Sequence, residues 1–449
     1  MAAGHIGEFI GFRLELIERM KKGDEIELQI EDITSSGWGV GRAHDESGSS
    51  AVVFVPGTAP GEKAAARITE CRKNHYRGEL VQLTHASPDR RTPPCRFFGA
   101  CAGCSLQFLS YEAQCEARMR RVERILSRAS GNLPAHTTAV RSPKEFGYRT
   151  HVSVATQRSG SEVAIGFTDP DTRRVVDISE CLLIPEWGNK ALGQLRRSIA
   201  RAAERLEDEF RLRLFFDHPS HRTYVVNPRG PLKMHRHVSS ALDEVLAGFP
   251  DPQTVKREVD GVTLRIHPAS FIQANYYLGP EMYRRARDMA EVRIEDTVLE
   301  LYAGSGFFTL AFARTALKTM ALEADRRACD NLAKSAEEVL KAARKAKERE
   351  PDIGVFQGKA ESLTDKIMQE FGPSVVIANP PRSGLHKKVL ESITGCAKVR
   401  RVVMISCDPS TCSRDMKGLS SAGFAADDAV VLDCYPQTAH VEMIVALAR

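Results

Sequence analysis

The chain has 449 residues, of which 42% are hydrophobic and 27% are charged, and its formal net charge at pH 7 is +5. This length allows roughly two to four domains with their own cores, and the ordinary composition excludes a disordered or fibrous protein. The uncharged stretches are shorter than the roughly 18 residues that a membrane helix needs. The mild positive charge permits an acidic partner such as RNA without requiring one.

Residues 1–22 are interpreted as an N-terminal extension whose apolar side chains are interrupted by charged ones. Glu8, Arg13 and Glu15 break up every hydrophobic run, so a secretory signal is not expected and the protein is expected to be cytoplasmic. The chain has eleven cysteines, an odd number. Without an export signal, that number favours thiol or metal chemistry over a disulfide framework.

Residues 23–86 alternate apolar and polar side chains in short segments separated by glycines. This pattern predicts a small β-barrel. Basic side chains gather only in its last part, between Arg67 and Arg77. The stretch resembles a TRAM domain, an OB-like barrel that binds RNA, and a barrel used only for packing or for a protein partner is the alternative.

A proline-rich linker, residues 87–94, leads into a loop with three cysteines, Cys95, Cys101 and Cys104. Three ligands from one loop and one from elsewhere are closer to the ferredoxin pattern than to the two Cys-x-x-Cys pairs that zinc usually takes. The spacing therefore favours an iron-sulfur cluster over zinc. Cys181 is the distant candidate for the fourth ligand, and Cys115 is the local one.

Residues 87–265 are predicted to form a central α+β domain around this cluster. A helix is predicted from Tyr111 to Ser130, and another from Glu186 to about Glu207. The first helix is rich in arginine, which indicates either a surface that contacts RNA phosphates or a solvated helix face. The arginines concerned are Arg118, Arg120, Arg121, Arg124 and Arg128.

Residues 266–449 have the βα alternation of a doubly wound α/β sheet. An apolar strand at 298–301 is followed by Gly304 and Gly306, which would let a ligand approach the backbone at the start of a helix. Glu300 and Glu323 frame this loop, and no third glycine follows at the spacing of a dinucleotide site, so S-adenosylmethionine is the favoured cofactor. A hairpin at 429–446 predicts a last strand antiparallel to its neighbours, as in class I S-adenosylmethionine-dependent methyltransferases.

Three further segments are predicted at the carboxyl ends of these strands, where open α/β sheets bind ligands. They are residues 379–384, 406–409 and 437–442. Cys407 precedes a helix that begins near Pro409, so the helix dipole and Arg382 are expected to favour its thiolate, whereas Asp408 opposes it. Taken alone, a cysteine such as Cys407 is more often a buried apolar residue, but its position at a strand end beside Asp408 and Pro409, with a carboxylate in the last strand, favours a nucleophile.

These motifs together resemble those of the RNA (uracil-5-)-methyltransferases. The cysteine set and the TRAM-like barrel resemble the RlmD/RumA-type branch, which methylates 23S ribosomal RNA. The motifs that carry the resemblance are Gln273, residues 300–309, 379–382, 406–409 and 440–442.

The resemblance implies that Cys407 is the nucleophile and Glu442 the general base. It implies a [4Fe-4S] cluster held by Cys95, Cys101, Cys104 and Cys181, an RNA partner, no membrane association and a monomer. The residues expected to bind S-adenosylmethionine are Gln273, Tyr302, Gly304, Gly306, Phe307, Glu323 and Asn379.

Two positions depart from the family pattern. The family usually has aspartate where Asn379 stands and a polar residue where Phe307 stands, which weakens the expected contacts to the cofactor. Three alternatives therefore stay open: a tRNA uracil-5-methyltransferase, an amino-group methyltransferase of the Asn-Pro-Pro type, and a non-catalytic RNA-binding iron-sulfur protein. The last two need no reactive Cys407.

Overall fold

The computed structural model describes residues 20–44, 50–130, 134, 136–160, 162–169, 172–226, 236–252 and 254–449. The chain forms two compact units. One unit takes in the chain up to residue 121 together with residues 436–440, and the other takes in 122–435 and 441–449. The predicted extension at 1–22 lies outside the described residues except for its last three. No helix in the described ranges is long and apolar enough to cross a membrane.

The first unit contains the predicted β-barrel. Five strands close it in the order β1-β2-β3-β5-β4, and apolar side chains such as Leu28, Val53 and Ile68 fill its interior. Since alternate residues of each strand point inward, the alternating sequence folds with its apolar side chains inside. The strands are β1 (Glu25–Ile33), β2 (Gly39–His44), β3 (Ser50–Val55), β4 (Lys63–Cys71) and β5 (Tyr76–His85).

The basic stretch of the barrel is more nearly neutral than its sequence suggests. Arg67 lies 2.8 Å from Glu25 and 2.9 Å from Glu79, and Arg72 and Arg77 both pair with Glu70. Exposed ion pairs of this kind add little stability. They do cancel much of the positive charge that an RNA phosphate would encounter at this surface.

The second unit contains an antiparallel sheet in the order β11-β10-β7-β8-β9, which lies within the predicted central region. The predicted helix from Glu186 ends at Ala202 and continues as one 3-10 turn, Ala203–Arg205. The elements up to this sheet and around it are α1 (Tyr111–Ser130), β6 (His136–Val140), β7 (His151–Ser159), β8 (Glu162–Thr168), β9 (Val175–Asp177), α2 (Glu186–Ala202), β10 (Glu209–Asp217), β11 (Arg222–Val226) and α3 (Arg236–Leu246).

The larger part of the second unit is a mixed sheet with helices. A hairpin, β12 (Val255–Val259) and β13 (Val262–Ile266), precedes it. The later elements are α4 (Gly279–Met289), β14 (Thr297–Leu301), α5 (Phe307–Ala311), β15 (Lys318–Glu323), α6 (Arg326–Ala346), β16 (Ile353–Gln357), α7 (Ala360–Phe371), β17 (Val375–Ala378), α8 (Lys387–Gly395), β18 (Arg401–Ser406), α9 (Pro409–Ser420), β19 (Ala425–Leu432) and β20 (Glu442–Ala448).

The strand order of this sheet is β16-β15-β14-β17-β18-β20-β19-β6. The strands from β16 to β18 are parallel, whereas β20 runs antiparallel to both β18 and β19, as the sequence predicts. The sequence did not predict β6, which pairs in parallel with β19 at the edge of the sheet. Most side chains of β6 are exposed or half-buried, so its local pattern carries little strand signal.

Candidate active site

A sharp turn at the carboxyl end of β14 shapes the first part of the site. Gly304 and Gly306 have φ of +54° and +74°, and Tyr302 has φ of +57° although it is not a glycine. A Cβ atom on Gly306 would lie 2.2 Å from Cδ1 of Leu332 in α6. The loop therefore needs glycine at Gly306 for its backbone conformation and for close packing, and it holds Tyr302 in a conformation that is uncommon outside functional sites.

Two carboxylates hold this loop in place. Glu300 Oε2 accepts hydrogen bonds from the backbone N–H of Thr309 at 2.7 Å and from its hydroxyl at 2.6 Å. Glu323 Oε2 accepts from the N–H of Gly304 at 2.7 Å, and its Oε1 accepts from two N–H groups at the start of α6. Burial raises the pKa of Glu300 to about 7, although the bonds from Thr309 oppose the rise.

A shallow open cleft lies over the loop. Of the residues predicted to bind the cofactor, Tyr302, Gly304 and Asn379 line it. The sequence pattern gave no signal for a further lining residue, Tyr283 of α4. The remaining lining residues are Phe271, Glu300, Leu301, Ala303, Ser305, Phe308 and Ile377.

The other predicted cofactor residues are placed differently. The ring of Phe307 is 1% exposed and stacks on Tyr283 with 4.4 Å between ring centroids, so it packs in the core behind the cleft. Gly306 and Glu323 support the loop and do not line the cleft. Gln273 is 4% exposed, and its Nε2 has no hydrogen-bond partner among the residues that the structure describes.

Cys407 and Glu442 come together through the sheet register. Ser406, the last residue of β18, pairs with Met443 of β20, so Cys407 just after β18 and Glu442 at the start of β20 lie at the same edge of the sheet. The charge of Glu442 acts on the Cys407 thiol, as expected for two side chains that lie close together. Cys407 is half-buried and Glu442 is 3% exposed. Tyr435 donates its hydroxyl to Glu442 Oε2 at 3.3 Å.

The sequence predicts that the surroundings of Cys407 lower its pKa, and this direction is wrong. Burial, and then the charge of Glu442, raises the pKa of the Cys407 thiol, and this outweighs the favourable effect of Arg382. The first N–H groups of α9 are also occupied, because Asp408 Oδ1 accepts from Ser410 and Thr411, each at 2.9 Å. The helix terminus is therefore satisfied by its own cap, and Asp408 adds further negative charge beside the sulfur.

Glu442 has the electrostatics of a general base for neutral pH. Burial raises its pKa to about 7, whereas the Tyr435 hydroxyl and the positive charge of Arg382 oppose the rise. A carboxyl group in this range accepts a proton readily and exists in both forms near pH 7. Its charge also raises the pKa of Tyr283, which lines the cleft, so the carboxylate and the cleft share one electrostatic environment.

The cysteines predicted to bind a cluster are all half-buried. Cys101 Sγ accepts from the N–H of Gly103 at 3.4 Å, and its pKa is raised by burial and by neighbouring Cys95. Cys181 belongs to the other unit. Within the described part of the chain, no three His, Cys, Asp or Glu side chains are grouped to hold a metal ion, so the iron-sulfur cluster stays a prediction.

The strand order, the reversed strand β20 and the glycine loop under an open cleft define a class I S-adenosylmethionine-dependent methyltransferase domain. The family model for tRNA (uracil-5-)-methyltransferases matches residues 254–449, and the TRAM domain model matches residues 19–81. The 23S rRNA (uracil(1939)-C(5))-methyltransferase RlmD of Acidithiobacillus ferrooxidans is 30% identical, over 94% of this chain and 96% of that protein. The chain therefore belongs to the family of S-adenosylmethionine-dependent RNA (uracil-5-)-methyltransferases.

Two other similar proteins agree with this assignment. An uncharacterized RNA methyltransferase of Listeria monocytogenes serotype 4b is 28% identical, over 95% of this chain and 98% of its own. The crystal structure of Pyrococcus abyssi tRNA (uracil-54, C5)-methyltransferase in complex with S-adenosyl-L-homocysteine matches with a TM-score of 0.66 and 22% identity. That match covers 94% of this chain and 100% of the other, and it shows the shared fold.

Proposed function

We propose that this protein methylates carbon 5 of a uridine in 23S ribosomal RNA through a covalent bond between Cys407 and the uracil ring. The position of Cys407 and Glu442 at one edge of the sheet, where the charge of Glu442 acts on the thiol, supports this most directly. A nucleophile and a base on adjacent strands can act on two neighbouring carbons of one pyrimidine. Arg382 provides a positive charge that acts on both.

The cleft residues fit S-adenosylmethionine. Its ribose hydroxyls and carboxylate accept hydrogen bonds, and the buried Nε2 of Gln273, which has no partner among the described residues, is a donor of that kind although Gln273 does not line the cleft. Tyr302 and Asn379 add polar groups at the cleft wall. When bound, the cofactor supplies a methyl group on a positively charged sulfur.

The chemistry divides into an addition and an elimination. The thiolate of Cys407 adds to carbon 6 of uracil, which moves an electron pair toward carbon 5 and makes that carbon nucleophilic toward the methyl group. Once carbon 5 carries the methyl group, Glu442 removes the proton there. The bond between carbon 6 and sulfur then breaks, which restores the thiolate. Covalent catalysis thus replaces one difficult step by easier ones.

The raised pKa values of Cys407 and Glu442 suit this order of events. Burial raises both, and the negative charge of an ionised Glu442 raises the pKa of the Cys407 thiol further. Addition to carbon 6 turns the thiolate into an uncharged thioether. Glu442 is then free to ionise and to act as the base.

The preference for 23S ribosomal RNA over transfer RNA rests on the similarity to RlmD along nearly the whole chain and on the cysteine set. Mapping 5-methyluridine in both RNAs from a strain that lacks the gene tests it. Loss from transfer RNA alone would contradict the ribosomal assignment. We also propose that the protein is a monomer, which light scattering measures.

Replacing the nucleophile tests the reaction type. Cys407→Ala should abolish methyl transfer and covalent adduct formation while S-adenosylmethionine still binds. Cys396→Ala, at the end of α8, changes another half-buried cysteine and should be as active as the native enzyme. Full activity of Cys407→Ala would favour an amino-group methyltransferase, and an inactive native protein would favour a non-catalytic RNA-binding role.

We also propose that Cys95, Cys101, Cys104 and Cys181 hold a [4Fe-4S] cluster with no catalytic step of its own. Cysteine thiolates are the usual ligands of such a cluster, and Cys95 lies close enough to Cys101 to raise its pKa. Anaerobically purified protein should contain iron and acid-labile sulfide, and Cys181→Ser should lose both. Zinc without iron would contradict the cluster, and iron loss in Cys115→Ser instead would identify a different fourth ligand.

A further inference from the structure

A five-residue segment, 436–440, precedes the proposed base Glu442, and hydrogen bonds from residues distant in sequence fix its backbone. Gln437 is fully buried and has a left-handed backbone with φ of +71°. Its N–H donates to Gln114 Oε1 at 2.9 Å, and its carbonyl accepts from the N–H groups of Ser105 and Leu106, each at 3.0 Å. A non-glycine residue stays in this conformation only where its surroundings fix it.

Helix α1 supplies most of these surroundings. The side chain of Gln114 also donates Nε2 to Gln437 Oε1 at 3.0 Å. Arg118 is 2% exposed and donates Nη1 to the carbonyl of Thr438 at 2.6 Å. Arg121 is 5% exposed and donates Nη1 to the carbonyl of Ala439 at 2.8 Å.

These bonds correct the interpretation of the arginine-rich helix. Arg118 and Arg121 are buried and bind backbone carbonyls, so neither RNA phosphates nor water is their main partner. Arg120, between them in sequence, is exposed and pairs with Glu116, as expected for a solvated helix face. Burying a guanidinium group costs free energy unless the group is hydrogen-bonded, and the carbonyls of Thr438 and Ala439 accept hydrogen bonds from the two buried ones.

We propose that Gln114, Arg118 and Arg121 are positioning residues for Glu442: by fixing segment 436–440 they set where the carboxylate stands over carbon 5 of the uracil. This inference rests on the proposed function. The segment ends two residues before Glu442, so freedom at Thr438 and Ala439 passes directly to the start of β20. A displacement of about 1 Å can reduce a positioned catalytic step by about 100-fold.

The inference predicts a defect in one step only. Addition of Cys407 and methylation should proceed, whereas proton removal by Glu442 and release of the product should slow. Arg118→Met keeps the length of the side chain and removes its donors. In a single-turnover reaction with unmodified 23S ribosomal RNA, this variant should release the covalent adduct roughly 10- to 100-fold more slowly than the native enzyme.

Arg120→Met is the matched control, because it removes a charge from the same helix without touching the segment. It should release the adduct at the native rate. Arg118→Lys should restore part of the rate, since lysine can reach a carbonyl as a donor. Binding of S-adenosylmethionine and the KM for RNA should be unchanged in all three variants, which separates positioning from a general loss of folding.

Gln437→Gly is a second test, because glycine accepts the left-handed conformation and keeps the backbone bond to Gln114 Oε1, while the bonds that Gln437 Oε1 accepts from Gln114 Nε2 and Arg91 Nη2 are lost. It should also release the adduct slowly. Native release rates in both Arg118→Met and Gln437→Gly would overturn the inference while leaving the proposed function intact. No methyl transfer by the native enzyme, or normal release by Glu442→Gln, would instead refute the function and the inference together.

Discussion

The pH dependence of adduct release follows from the environment of Glu442. Burial raises the pKa of this carboxyl group to about 7, above its ordinary 4.5. The basic form then makes up about 9% of the enzyme at pH 6 and about 91% at pH 8. Release of the methylated product should therefore be about tenfold slower at pH 6 than at pH 8.

A rapid-quench experiment measures this step separately. The adduct is formed at pH 8, the pH is changed by mixing, and the decay of protein-bound RNA is followed on denaturing gels. Because the adduct already contains the sulfur bond, the titration of Cys407 does not enter the measured rate. A decay rate that is the same from pH 6 to pH 8 would refute Glu442 as the base.

One substitution should move this profile in a known direction. The Tyr435 hydroxyl lies 3.3 Å from Glu442 Oε2, and this hydrogen bond lowers the pKa of the carboxyl group. Tyr435→Phe should therefore shift the midpoint of the release profile to higher pH and leave its alkaline plateau nearly unchanged. A shift to lower pH would show that the hydrogen bond has the opposite effect.

Three further outcomes are expected. Burial raises the pKa of Glu300 to about 7, so this carboxyl group contributes its full stabilisation below its unfolded pKa near 4.5 and loses it as the pH rises through 7. Glu300→Gln should therefore increase the free energy of unfolding, measured by denaturant titration, by up to about 3 kcal/mol at pH 8 and by little at pH 5. The Cβ atom of Gly306→Ala would clash with Leu332, whereas that of the control Gly304→Ala would enter open space. Gly306→Ala should therefore weaken cofactor binding and stability more than the control does. Equal losses in calorimetry would contradict the packing role of Gly306. Asn379→Asp should tighten cofactor binding about fivefold, because a hydrogen bond to a charged group is about 1 kcal/mol stronger than one to a neutral amide. Weaker binding would show that the cofactor prefers the amide.

The sequence predicted the parts of the fold that depend on local pattern. The alternating residues of the barrel, the glycine loop after β14 and the reversed strand β20 all follow from periodicity and turn chemistry, and all are confirmed. The sequence also predicts that Cys407 and Glu442 lie at one edge of the sheet, because the hairpin and the parallel order of strands fix which ends meet, and their catalytic roles stay a prediction.

What the sequence did not predict depends on contacts between distant residues. Strand β6 pairs with β19, which lies nearly three hundred residues later in the chain, and the local sequence of residues 136–140 does not predict this partner. The same is true of Arg118, whose partner is the carbonyl of Thr438, and of Phe307, whose ring turns toward Tyr283. The direction of the Cys407 pKa was wrong because burial and the capping role of Asp408 are tertiary facts.

The place of β6 has a practical meaning for anyone who wishes to study the catalytic half by itself. A fragment that starts at residue 266 would carry the glycine loop, Cys407 and Glu442, yet it would leave one long border of β19 without its hydrogen-bonding neighbour. An unpaired strand edge of this kind pairs with strands of other molecules and promotes aggregation. A soluble catalytic fragment therefore has to retain residues 136–140, however far they lie from the chemistry in the linear chain.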